Sequence, residues 1–222
     1  MSDPSPAPAR SAFLHALGRL HERFLVDVDG VTEVWLIRHG DAYGELVSLD
    51  DSDIDPPLSP RGRREARALG GRLEAAGVSA IWASGIARAQ ETAALAALPS
   101  GLWVQTDHRL REVKTHWEDA GQASPPPDGY IPFVEPVGEV VERMDSAVRD
   151  IAASVTPGSR IAAVTHAGAI TFYLTHLLRL DSGPLRVLPR FTSVTVLLIK
   201  DGRIVVQSIG DVAHLAGEQV TG

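Results

Sequence analysis

Two histidines in this sequence share one local setting. His39 lies in Arg38-His39-Gly40 and His166 in Thr165-His166-Ala167-Gly168, and each follows a run of apolar, largely β-branched residues. Two further runs of that kind lead to Ser84 with Arg88, and to Leu110-Arg111-Glu112. Together these stretches supply two imidazoles, two or three guanidiniums and one carboxyl group, an inventory that suits a phosphate. Guanidiniums can hold phosphate oxygens in forked hydrogen bonds. A helix starting at His166 would add free backbone N–H groups and the positive end of its dipole. The chain has no cysteine, which excludes disulfides, thiolate metal sites and a cysteine nucleophile. It also lacks a closely spaced metal-ligand motif, so the nucleophile indicated is a histidine. Each residue taken alone has a plainer reading: a satisfied strand-end histidine, arginines in surface ion pairs, a solvated glutamate. Only their convergence carries the chemistry.

Convergence requires a particular scaffold. Val31–Ile37, Val78–Ala83, Leu102–Thr106 and Arg160–Thr165 read as strands. Helical spacing appears over 60–76, where Ser59-Pro60 opens the helix and Gly77 stops it. It appears again in an Ala-rich segment that Ser84 can cap and Pro99 ends, over 138–155, and over Ala167–Leu180. Thr192–Ile199 and Arg203–Ile209 flank Asp201-Gly202, a two-residue hairpin signal. The alternation predicts an α/β fold, a three-layer α/β/α sandwich with a mostly parallel central sheet and an antiparallel edge. Ligands in such sheets bind beyond the carboxyl ends of the strands, where the residues above fall.

With 222 residues, the chain fits one domain over 11–222, preceded by a disordered Pro-rich tail over 1–10 and interrupted by an irregular Pro-rich insertion over 119–138. Phe13, Leu14, Leu17, Leu20, Phe24 and Leu25 mark an amphipathic helix over 11–26, expected to pack on the domain, with a partner-binding helix as the lesser alternative. The net charge of −7 argues against a nucleic-acid binder. No apolar stretch approaches the roughly 20 residues of a membrane span, and no signal segment is visible, so a cytoplasmic location is the default expectation.

The motifs resemble those of the histidine phosphatase superfamily, which includes cofactor-dependent phosphoglycerate mutases. The resemblance rests on Arg38-His39-Gly40, Leu58-Ser59-Pro60-Arg61-Gly62-Arg63, Ser84 to Thr92 with Arg88-Ala89, Leu110-Arg111-Glu112, Thr165-His166-Ala167-Gly168, and Gly210-Asp211 to His214-Leu215. It spans about residues 31–215 in family order. It implies a phosphoglycerate mutase-like fold with His39 as the phosphorylated nucleophile. Arg38, Arg88, His166 and Ala167 would bind the phosphoryl group, His166 would also stabilise its transition state, and Glu112 would donate the proton to the leaving group. It implies no metal and no cofactor, and a phosphorylated small molecule as substrate.

Some positions depart from the family. Ala42 and Glu45 stand where many members carry Ser or Thr and then Asn, and Arg38-His39-Gly40-Asp41-Ala42 looks more like the branch acting on protein phosphohistidine. Glu112 favours the phosphomonoester branch. A mutase is less supported, because Val113-Lys114-Thr115-His116-Trp117 replaces the run that follows the acid in mutases. A metallohydrolase using His39, Asp41 and His166, and a phosphate-binding domain without turnover, are the rival classes.

Several residues have weaker claims. Glu45, Glu118 and Asp119 are alternative acids. His116, Trp117 and Tyr130 are candidates for the pocket mouth, and Asp50, Asp51, Asp53 and Asp55 for a patch that disfavours polyanions. His15, His21 and His108 read as surface residues, His176 as a core or lining residue, and His214 as a structural hydrogen-bonding group.

Overall fold

The computed structural model describes residues 7–42, 55–114, 134–180 and 187–216. Six strands form one mixed sheet: β1 Thr32–Arg38, β2 Ala80–Ala83, β3 Val104–Thr106, β4 Arg160–Thr165, β5 Val194–Lys200 and β6 Arg203–Asp211. Their order is β3-β2-β4-β1-β5-β6. The first four strands of that order are parallel, and the β5–β6 hairpin adds the antiparallel edge. The α-helices among the described residues are α1 Ala7–Phe24, α2 Pro60–Ala75, α3 Ala87–Ala97, α4 Val137–Ala153 and α5 Ala167–Leu177. The three-layer α/β/α expectation holds.

β1 shows why the sequence makes this arrangement. It lies between β4 and β5, so both its edges are paired, and helices cover both its faces. Side chains alternate along a strand. Val34 and Leu36 therefore join Met144 and Val148 of α4 and Ile170 and Tyr173 of α5 in one apolar layer. Trp35 and Ile37 join Leu69 and Leu73 of α2 and Ala89 and Ala93 of α3 in the other. Fully burying a side chain such as Leu69 or Ile170 is worth about 1.5–3 kcal/mol relative to exposure. Ser59 caps α2 by accepting from Gly62 N at 3.0 Å, with Pro60 at the first helical position.

The termini depart from expectation. Residues 7–10, assigned above to the tail, belong to α1. The apolar face of α1 is not packed on the domain: Phe13, Leu14, Leu20 and Phe24 are all exposed, and the first buried residue of this region is Leu25, beyond the helix. Helical periodicity made the stripe but could not supply a surface to bury it. His176, expected as a core or lining residue, is exposed in the last turn of α5. Most of the 119–138 insertion lies outside the described residues, and Val137 already opens α4. Among the described residues no helix is long and apolar enough to cross a membrane.

Candidate active site

The ends of β1 and β4 are paired in register, Arg38 opposite Thr165, and His39 N donates to Thr165 O at 3.0 Å. The next residues, His39 and His166, therefore emerge side by side. Their ring centroids lie 5.1 Å apart with planes inclined at 57°. Both are buried, at 2% and 0% exposure. β2 ends next to β4 and delivers Ser84, and Arg88 follows in the first turn of α3.

His39 is fixed at both ring nitrogens. Nδ1 lies 2.7 Å from Gly40 O. A carbonyl only accepts, so Nδ1 carries the proton and Nε2 keeps its lone pair. Arg88 Nε donates to that Nε2 at 3.1 Å. Burial, then the positive charges of Arg88 and Arg38, lower the His39 pKa to about 3, against a smaller opposing effect of the Gly40 bond. The ring is neutral in the resting protein at neutral pH. Phe191 packs on it at 5.7 Å between ring centroids.

The loop after His39 is held by backbone-to-backbone packing. A Cβ on Gly62 would lie 2.0 Å from Asp41 O, and one on Gly40 would lie 2.8 Å from Gly62 O. Only glycine allows α2 to come this close. Asp41 N donates to Glu65 Oε2 at 2.9 Å, Ser59 Oγ to Asp41 Oδ2 at 2.8 Å, and Gly40 N to Thr92 Oγ1 at 2.9 Å. Sequence reasoning identified Ser59-Pro60 as a helix start but missed Glu65, Thr92 and Phe191 as supports of His39 and the loop after it. Buried Glu65, on the inner face of an otherwise basic helix start, was the available signal.

Arg38 leaves β1 beside His39. Its guanidinium carbon sits 3.7 Å over the Phe191 ring, and Nη1 donates to Pro189 O at 2.8 Å. Arg111, counted above as a possible third guanidinium of the pocket, instead makes a bidentate ion pair with Glu135 at 2.7 Å from each nitrogen. Arg143 also binds Glu135, and it donates to the carbonyls of Arg109, Arg111 and Glu112. This network clamps the segment that carries Glu112. Hydrogen bonds from both arginines and Lys114 N outweigh burial and hold the Glu135 pKa down to about 2.

Glu112 projects onto the start of α5. Its Oε1 accepts from Val113 N at 2.9 Å and Ala169 N at 3.0 Å, and Oε2 accepts from Gly168 N at 3.3 Å. A Cβ on Gly168 would lie 2.7 Å from Glu112 Oε1, so any larger residue there would push the carboxyl aside. Ile170 N donates to His166 O. The Ala167 N–H, at the first position of the helix, is taken up by no described residue, as is usual for an orphan donor at a helix start.

Ser84 does not cap α3. The N-cap residue is Ile86, and the Asp55 carboxylate supplies the cap from a distance. Asp55 accepts from Ala87 N at 2.7 Å and from Arg88 Nη1 at 3.3 Å. Ser84 Oγ accepts from Ile86 N at 3.3 Å and lies 2.7 Å from His166 Nε2. His214 Nε2 lies 3.1 Å from Thr192 Oγ1, in agreement with its structural reading. His108 is exposed, although a Cβ on Gly85 would meet its ring. Glu45, Asp50, Asp51, Asp53, His116, Trp117, Glu118, Asp119 and Tyr130 lie outside the described residues. Among those described, no three His, Asp or Glu side chains group in a way that could hold a metal ion.

The family model of the histidine phosphatase superfamily (branch 1) matches residues 34–212. The chain belongs to that superfamily. This histidine phosphatase is 29% identical over 205 residues to the probable phosphoglycerate mutase GpmB of Cronobacter sakazakii, covering 82% of this chain and 94% of the relative. Its fold is similar to that of Bacillus stearothermophilus YhfR, with a TM-score of 0.66, 28% identity, and coverage of 83% of this chain and 99% of that one. A mycobacterial glucosyl-3-phosphoglycerate phosphatase shares the fold at a TM-score of 0.65 and 24% identity, over 81% of this chain and 99% of its own. By family, the protein is a phosphatase-type hydrolase.

Proposed function

We propose that the protein hydrolyses phosphomonoesters of small metabolites through a phosphohistidine on Nε2 of His39, without a metal. The observation that carries this reading is the state of His39, whose proton is committed to Gly40 O while the electron pair on Nε2 accepts from the Arg88 guanidinium.

In the first step the Nε2 lone pair attacks phosphorus and the ester P–O bond breaks. Arg88 exchanges its bond to Nε2 for the phosphoryl oxygens. Arg38, His166 and the Ala167 N–H complete the cup around them. Charge persists on those oxygens through the transition state, and preorganised donors stabilise it without rearranging. The leaving alkoxide takes a proton from Glu112. Among the described residues Oε2 has a single long contact, which favours it as the oxygen that hands the proton over. In the second step Glu112 accepts a proton from water. The water oxygen attacks phosphorus, the N–P bond breaks, and phosphate leaves with His39 restored.

The Glu112 carboxyl favours an ester over a phosphohistidine substrate, because an imidazole leaving group needs less proton assistance than an alkoxide. Phosphoglycerates and glucosyl-3-phosphoglycerate, named for the relatives above, are the first substrates to assay. A panel of sugar phosphates, phosphoglycerates, nucleotides and phosphohistidine peptides tests the reading, with His39→Ala as the blank and EDTA as a second arm. Ester hydrolysis that survives EDTA and vanishes with His39→Ala is expected. Preference for phosphohistidine peptides, phosphoglycerate isomerisation without phosphate release, EDTA-sensitive turnover, or phosphate binding without turnover would each overturn it.

A further inference from the structure

We propose that Ser84 is a positioning residue that sets the tautomer of His166: the Ser84 hydroxyl donates to Nε2, the ring proton is held on Nδ1, and that N–H is the donor presented to the phosphoryl group. The purpose assigned to this N–H rests on the phosphatase reading above, whereas the tautomer itself rests only on geometry.

The argument is an account of buried hydrogen-bonding groups. Ser84 and His166 are both at 0% exposure. Their 2.7 Å contact can run in either direction. If His166 Nε2–H donated to Ser84 Oγ, which already accepts from Ile86 N, the Ser84 O–H would be left without an acceptor among the described residues. The lone pair on His166 Nδ1 would be unmet as well, because that nitrogen is buried and has no partner among the described residues. Two orphaned groups would result. If Ser84 donates, its O–H and its acceptor site are both used, and only the Nδ1–H remains unpaired. Unmet buried polar groups are costly and rare, so the second arrangement wins.

The remaining orphan also has a use. It belongs to a ring that stands 5.1 Å from the His39 ring and opens the helix whose first N–H is taken up by no described residue. A neutral imidazole can donate from only one nitrogen. Burial first, then the electrostatic influence of a protonated His39 and of the Arg88, Arg143 and Arg38 guanidiniums, keeps the His166 pKa well below its ordinary value. The resting ring is therefore a neutral donor whose direction depends on where its single proton sits. Ser84 decides that.

Two-bond proton–nitrogen correlation spectra of the 15N-histidine-labelled full chain test the assignment directly, with His166 signals identified by their loss in His166→Gln. The wild type is expected to show the Nδ1–H tautomer. In Ser84→Ala the ring moves toward Nε2–H, and kcat falls by up to ~10²-fold, the low end for losing one transition-state donor. Vanadate affinity falls by the same factor, while KM changes little because the bond acts in the transition state. Ser84→Thr, which keeps the hydroxyl, restores the tautomer and the rate. An Nε2–H tautomer in the wild type, or Ser84→Ala that keeps Nδ1–H, overturns the proposal without recourse to any activity. A tautomer shift with unchanged kcat overturns the role of the N–H. The expected spectra in a protein that hydrolyses no phosphoester would support the Ser84 assignment and overturn the phosphatase reading instead.

Discussion

His39 and His166 follow two paired strands at the same height, each as the first residue past the sheet, and each is buried and neutral. They differ in what their neighbours take from them. Gly40 O accepts the His39 proton at Nδ1 and leaves an electron pair on Nε2. Ser84 satisfies the His166 Nε2 and leaves a proton on Nδ1. On the proposed mechanism one imidazole serves as nucleophile and the other as donor, though the side chain, strand position and burial are the same. Identity of residue sets what a histidine can do, and the hydrogen bond at its far nitrogen selects which of those it does.

Substitutions that remove one side of this pair should separate the two roles. His39→Ala removes the electron pair, and turnover should fall by ~10⁴-fold or more, read as kcat, because no other group forms the covalent intermediate. Glu112→Gln keeps the hydrogen-bonding shape but cannot cycle a proton. It should cost about 10²–10⁴-fold on alkyl phosphates and much less on p-nitrophenyl phosphate, whose leaving group needs little protonation. His166→Gln removes the donor while leaving the nucleophile intact. A loss of about 10²–10³-fold is expected, with the phosphoenzyme still detectable after a rapid quench. A phosphoenzyme that survives in His39→Ala but not in His166→Gln would reverse the comparison.

Smaller effects sharpen it. Gly168→Ala forces a Cβ toward Glu112 Oε1 at 2.7 Å. Displacing a catalytic group by such a fraction of its reach can cost up to about 10²-fold, so kcat should fall while the melting temperature changes little. The pH dependence comes last. His39 has a folded pKa of about 3, below its unfolded value of 6.5. Between those values the unfolded chain binds a proton that the native chain refuses, so stability falls as pH drops from 6.5 toward 3. His214, lowered to about 4 chiefly by burial, adds to the loss in the same direction. Glu135, held down to about 2, adds a further loss below 4.5. Denaturation midpoints measured from pH 7 to 4 should decline, and His39→Gln should flatten the slope. The same depressed pKa means that kcat/KM should show no acid limb at 6.5 arising from His39.

The helix α1 marks where reading from sequence fails. Its apolar stripe at Phe13, Leu14, Leu20 and Phe24 has the same kind of spacing as the stripe Val140, Val141, Met144, Val148 and Ile151 of α4. The second is buried and the first exposed. Periodicity reports that a helix has an apolar face, but not whether the rest of the chain offers a surface to receive it. Ser84 failed as an α3 cap for a related reason. Its hydroxyl had a local use and a distant one, and Asp55 brought in from another loop freed it for the distant one. Arg111 was drawn out of the expected cationic cup by Glu135, which lies 24 residues away.

Residue types and their local periods were enough to pick out the set of strand-end residues. Strand and helix periods are local, and a parallel sheet delivers the residue after each strand to one edge, so His39, Arg88, Glu112 and His166 could be assembled on paper. Only the tertiary structure decided the state of each. Proton position, charge and backbone approach depend on groups far apart in the chain: Gly62 against Asp41, Glu112 on the α5 N–H groups, Ser84 on His166. A hydrogen bond acts over about 3 Å, and no pattern of spacing along the sequence reports which distant atoms come within that range.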